Sequence, residues 1–303
     1  MVRMRPIPWF HKAFGAIIAA AFLAGCEGMA LPTAQRAAAT TDGGATQPGR
    51  SETYENLHGV LWIQTAAEYR VLAETTYAQA RAALDKALAD TAWTAELTQS
   101  GVYDSLPPAV IMDLDETVLD NSKLLGQLVL TGAPSSSGLW RDWVRRAEAG
   151  AVPGAVSFVR YAESKRVTVF YVSNRDAAVE EPTRRNLKAL GVTLPKAVDT
   201  VLLGDEQPKW STDKTSRRAH VAQNYRVLLM LGDDLNDFVS GAHAGPDERR
   251  ALARRHAQMW GERWFLLPNP VYGSWERALR GDENGLSGAE LLGRKRNLVK
   301  TYK

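Results

Sequence analysis

Four short apolar runs in this chain each give way at once to polar side chains, and that pattern restricts its fold more than any other feature of the sequence. The first, Ala109 to Met112, follows Pro107 and Pro108 and belongs to the stretch VIMDLDETVLDNS, residues 110 to 122. A short, continuous apolar segment suits a strand buried on both faces of a parallel sheet. In open α/β sheets the chemistry sits just past the carboxyl ends of the strands. Asp113 and Asp115 therefore stand where a reacting group or a metal can reach both. Acids two apart on an extended segment also point to the same side.

The later runs repeat the arrangement. Val167 to Val172, VTVFYV, leads directly into Ser173, Asn174, Arg175 and Asp176. Thr200 to Leu203 and Val227 to Leu231 read as further strands, and Trp264 to Leu267 as a fifth, before the loop PNPVYGSW with Tyr272 and Trp275. GDDLNDF begins at Gly232 and crowds Asp233, Asp234 and Asp237 into one short turn. Carboxylates this close repel, and a hard divalent ion such as Mg²⁺, which prefers oxygen ligands, relieves the repulsion. Thr212 or Asp213 can cap a helix that carries Lys214 in its first turn. A cation there opposes the helix dipole unless something negative lies close, which points to phosphate, with a solvated side chain as the commoner alternative.

Residues 51–92 contain one or two amphipathic helices, with Leu57, Val60, Leu61, Leu72, Tyr77, Ala80, Leu84 and Leu88 at helical spacing. Between the first two strands, TGAPSSSG reads as a loop and LWRDWVRRAEAG as a helix. Trp140 and Trp143, three apart, share a helix face and suit either core packing or stacking over a substrate ring. The expected fold is α/β: a Rossmannoid parallel sheet of about five strands with helices on both faces. It carries a helical extension at 51–105, a catalytic core at 106–280 and a small cap insertion at 123–166. The tail from Gly281 is polar and basic at its end, and no function is assigned to it.

The formal charge is +3, but Arg3, Arg5 and Lys12 fall in the first 25 residues, and without them 34 basic residues face 34 acidic ones. Nothing in that balance favours a nucleic-acid polymer as partner. Ala13 to Ala24 is an apolar run after a basic segment, so residues 1–25 read as a secretory signal. Leu23-Ala24-Gly25-Cys26 resembles the lipobox of bacterial lipoproteins, in which the cysteine carries the lipid. Residues 26–50 are then a flexible tether and 51–303 the folded domain. Glu27 after the cysteine leans towards the outer membrane, facing the periplasm or the surface. Cys26 is the only cysteine, which excludes an internal disulfide and a thiol nucleophile in the domain.

The order DLDET, Ser173 after a strand, Lys214, then GDDLNDF resembles the four motifs of the haloacid-dehalogenase-like (HAD) phosphohydrolases. With NLHGVLWIQTAAEYR, AVPGAVSFVRYAESK, FYVSNRD, DKTSRR and LPNPVYGSWE, the chain is similar more specifically to the class C acid phosphatase and lipoprotein e family. GDDL departs from the GDNL expected there. The resemblance implies that Asp113 is a nucleophile and that Asp115 is the general acid and base, its pKa raised by neighbouring carboxylates. It implies that Asp113, the Asp115 carbonyl and Asp233 bind Mg²⁺ with Asp237 supporting through water or from behind the ligands, and that Ser173 and Lys214 hold the phosphoryl oxygens. The expected activity is Mg²⁺-dependent acid hydrolysis of phosphate monoesters, with nucleoside monophosphates and aromatic phosphates as substrates. Trp140 or Trp143, with Tyr272, would stack on the base, and Asn174 and Arg175 would complete the substrate contacts. A phosphotransferase and a lipid-anchored binding or adhesion protein on an inactive phosphatase scaffold are the alternatives.

Overall fold

The computed structural model describes residues 56–280 and 286–302. The signal segment, the lipidation site at Cys26, the tether and the first residues of the helical extension lie outside these. Five parallel strands form the sheet in the order β5-β4-β1-β6-β7, with β1 (Pro108–Met112) at the centre. Its neighbours are β4 (Thr168–Asp176) and β6 (Arg226–Gly232), and β5 (Val201–Gly204) and β7 (Trp264–Leu266) are the edges.

Side chains alternate between two cores, as the period of two along a strand requires. Val110 and Met112 pack with α2 (Ala67–Ala89) and α5 (Ala155–Ser164), and with Leu187 of α6 (Glu180–Ala189). Ala109 and Ile111 face Val221 of α7 (Thr215–Asn224) and Leu252 of α8 (Pro246–Arg255). Burial on both faces explains why the strands read as continuous apolar runs. The buried stripe of α2 includes Leu84 and the small Ala73, Ala80, Ala83 and Ala87, and the alanines let it lie close to α5.

Extended backbone at Ala66 separates α2 from α1 (Leu57–Thr65). A third core joins Val60 and Ile63 of α1 to Leu125 and Val129 of α3 (Ser122–Thr131) and to Val271. A second, antiparallel sheet pairs β2 (Leu119–Asp120) with β3 (Gly150–Ala151), and α3 and α4 (Ser137–Arg146) emerge between these two strands. Within the span expected as a cap, α5 packs on α2 and β4, so the sheet's own layer begins again at Ala155. The chain ends with the short α9 (Ser274–Arg277) and with α10 (Gly288–Leu298), the latter on the tail read as polar and basic at its end. A capping box between Ser287 and Glu290 starts α10.

Leu84 is fully buried between α2 and the sheet. Leu84→Ala should therefore lower unfolding free energy by about 2–5 kcal/mol, read from the midpoint of a urea titration with an unchanged slope.

Candidate active site

Strand register assembles the site. Met112 lies opposite Tyr171 on one side and Leu231 on the other, so Asp113, Ser173 and Asp233 leave the sheet at nearly one level. The turn Leu235–Asp237 then carries Asp237 back over the strand end, with its Oδ2 accepting from Asp234 N–H at 2.9 Å. Gly232 is obligatory here, because a Cβ would run into the Asp237 side chain. Asp113, Asp233 and Asp237 each offer an oxygen within 4.8 Å of the others.

Lys214 caps this cluster. Its Nζ donates to Asp113 Oδ1 and, at 2.6 Å, to Asp237 Oδ1, and all three side chains are buried. These carboxylates are the negative groups that its place at the start of α7 calls for. One ammonium does not balance three carboxylates. Burial pushes Asp113 up to about 7 against the pull of Lys214, with Asp237 and Asp115 adding to the rise. Asp233 is pushed well above the carboxylate range by burial and then by Asp113 and Asp237. Asp237 is raised by burial despite Lys214. For Lys214 the burial cost is outweighed by Asp113 and Asp237, and its pKa rises. An all-oxygen donor set with excess negative charge fits a hard divalent cation. The Asp115 carboxylate is not in the cluster.

Asp115 is held from the side. Arg175 Nη2 donates to its Oδ1 at 2.6 Å and Nε to both oxygens at 3.1 Å, while Asn121 Nδ2 donates at 2.9 Å. Its bonded neighbours are thus a guanidinium and an amide, not the carboxylates that the sequence suggests. Thr183 Oγ1 fixes the far end of Arg175 at 3.0 Å. Trp143, expected as a substrate contact, does not line the cavity; it is buried and donates its indole N–H to Asn121 Oδ1 at 2.7 Å. Arg175, expected in the same role, does line the cavity but spends its guanidinium on Asp115 and Thr183.

Two consecutive buried arginines brace the loops, a role for DKTSRR that sequence reasoning missed. Arg217 donates to Ser173 O and, at 2.6 Å, to Asn174 Oδ1 and Ser211 O. Arg218 reaches the carbonyls of Asn236 and Asp237 at 2.9 and 3.2 Å and pairs with the buried Glu96 at 3.2 Å. The signal available was two adjacent arginines on a helix otherwise destined to pack on a sheet. Ser173 Oγ accepts from Arg175 N–H at 3.2 Å, which leaves its own proton to donate.

These groups form the floor of a cavity of about 550 Å³, whose walls include Asn174, Trp140 and Tyr272. The Trp140 and Tyr272 rings meet edge to face at 6.1 Å. The Tyr272 hydroxyl donates to Glu116, a buried carboxyl that burial raises well above its usual range, with Asp115 adding to the rise.

The family described as HAD superfamily, subfamily IIIB (acid phosphatase), matches residues 31–275. The chain belongs to that family. Its structure is similar to that of the class C acid phosphatase from Bacillus anthracis, with a TM-score of 0.73 and 34% identity over 83% of this chain and 99% of that one. The same figures hold for the Bacillus anthracis enzyme with tungstate bound. Two proteins of Glycine max, the stem 28 kDa and stem 31 kDa glycoproteins, are 25% identical over 167 and 165 residues. This chain spans 58% and 50% of their lengths. As a subfamily IIIB chain with GDDL in place of the expected GDNL, it gives Asp234 a structural task. The Asp234 carboxylate accepts from Ser274 N–H and Oγ–H at 2.5 Å and from Asn236 N–H at 2.9 Å. Asn269 Nδ2 meanwhile donates to Asp233 Oδ2 at 2.8 Å. The loop bearing Tyr272 is thereby tied to both aspartates. Gly273, at φ +142° and against Asp234, makes the turn between them.

Divalent-ion binding should release protons, because Asp113, Asp233 and Asp237 all hold raised pKa values. Affinity should fall steadily as pH is lowered below about 7, measured by calorimetry in buffers of different ionisation enthalpy. A pH-independent affinity would exclude this cluster as the ligand set. For Asp234, burial favours the neutral form, but the bonds from Ser274 and Asn236 outweigh it and lower the pKa. Its contribution is thus present above the unfolded value and lost as pH falls through the folded one. Asp234→Ala should cost about 1–3 kcal/mol at pH 7, with the deficit shrinking below about pH 4 in denaturant titrations.

Proposed function

We propose that the protein is a Mg²⁺-dependent acid phosphatase, acting on nucleoside monophosphates and aromatic phosphate monoesters, and anchored at the cell envelope by a lipid on Cys26. One observation carries this reading: a buried Asp113 beside Lys214 and an acidic cluster, at the floor of a cavity walled by Trp140 and Tyr272. Family membership supports it, as does the tungstate, a tetrahedral oxyanion, bound to the Bacillus anthracis enzyme.

A phosphate monoester is anionic and resists a carboxylate nucleophile, so the site must supply positive charge. Asp113 attacks phosphorus and forms an acyl phosphate as the bond to the leaving oxygen breaks. Asp115, oriented by Arg175 and Asn121, gives its proton to that oxygen. It then takes one from the water that attacks phosphorus, and the bond to Asp113 breaks. Ser173 holds a phosphoryl oxygen by its free O–H and Lys214 another by charge. Asp113, Asp233 and the Asp115 carbonyl would hold Mg²⁺ with Asp237 supporting them, and the ion would supply screening of the negative charge between nucleophile and phosphate. Trp140 and Tyr272 offer ring surface to the leaving group, with Asn174 at the cavity wall.

The test is phosphate release from p-nitrophenyl phosphate and nucleoside monophosphates between pH 4 and 8, with Mg²⁺ or EDTA. Release should peak at acid pH, vanish in EDTA and fall by more than about a thousandfold in Asp113→Asn. Equal activity in that variant would sink the nucleophile assignment, and a folded, metal-loaded protein that turned over nothing would favour the binding-lipoprotein alternative.

A further inference from the structure

The cavity is electrostatically divided. Its floor carries the aspartates and Lys214, whereas other lining residues are Glu276, Arg277, Arg280 and Lys295. Arg277 and Arg280 line the cavity yet are exposed, which puts them at its opening. Lys295 pairs with Glu276 at 2.9 Å, so that acid is already matched. The side chains of Arg277 and Arg280 make no ion pair or hydrogen bond among the described residues. Two guanidiniums thus face a cavity whose floor already has a cation for the scissile phosphate. Exposed at the opening, both guanidiniums can take a charge-assisted bond to an arriving anion. The segment that carries them begins after residue 275, where the family match ends. Arg294 Nη1 of α10 donates to Arg280 O at 2.5 Å and ties that segment to the helix, whose buried Leu291 lines the same cavity.

We propose that Arg277 and Arg280 form a second anion subsite, so that the preferred substrates are phosphate monoesters whose leaving group bears another phosphate. Nucleoside bisphosphates are the simplest class. The assignment rests on the phosphatase reading above, which places the scissile phosphate at Asp113. About 550 Å³ is room for a nucleotide-sized ligand and far more than a phosphoryl group needs. Guanidinium forks match phosphate oxygens in pairs, and their exposure means that salt should weaken the contact.

The experiment is calorimetric binding to the full-length Asp113→Asn protein, which stops turnover, with adenosine 5′-monophosphate and adenosine 3′,5′-bisphosphate as probes. The bisphosphate should bind about tenfold tighter or better at low salt, and the ratio should shrink as salt rises. Adding Arg277→Gln and Arg280→Gln should bring the ratio towards one, with thermal melting confirming that the variant is folded. Equal affinities in the parent, or a preference that survives both substitutions, would overturn the subsite. Phosphate release by the unsubstituted protein is scored separately: if neither nucleotide is hydrolysed, the phosphatase reading fails, whichever way the binding ratio falls.

Discussion

The Lys214 ammonium between Asp113 and Asp237 is the contact on which the rest of the site depends. Parallel strands ending in register bring carboxylates from separate parts of the chain into one buried space, where their repulsion is felt in a low dielectric. Lys214 neutralises part of it, and the raised pKa values of Asp113, Asp233 and Asp237 record what is left. Removing one partner of a buried pair costs about 3–5 kcal/mol, because the other is stranded. The residual charge also makes the cluster receptive to a divalent ion.

Around that centre the chain spends its polar contacts on orientation. Arg217 and Arg218 are neighbours on α7, yet one holds the end of β4 and the other the turn after β6. A single helix therefore sets the distance between Ser173 and Asp237 while presenting Lys214 at its N-cap, one residue before the first turn in which the sequence placed it. Arg175, Asn121 and Trp143 form a comparable chain behind Asp115. Such fixed supports matter because a misplacement of about 1 Å can cost a hundredfold in rate.

The strands and their order of polar successors were legible in the sequence, since burial on both faces forces uninterrupted apolar runs and chemistry collects at their ends. Asp113, Asp233 and Asp237 could be singled out because crowded acids after a buried strand are costly without a counter-charge. Trp140 and Trp143 could not be separated, since helical spacing puts both on one face and only the packing of α4 sends one ring to the cavity and the other to Asn121. The helix α10 was missed for a different reason: its two glycines and basic end mask a short helix, although the Ser287–Glu290 capping box ahead of Leu291 was a readable start signal.

The sequence by itself determined the α/β class, the buried strands and the residue types gathered at their ends, because those follow from local patterning. Tertiary structure alone decided which groups touch. It gave Asp115 a guanidinium as its bonded partner beside the carboxylates near it and turned Arg175 and Trp143 into supports. It also made Asp234 the anchor of the Tyr272 loop and set Arg277 and Arg280 at the cavity's opening. These outcomes depend on contacts between residues far apart in the chain, which no local pattern encodes.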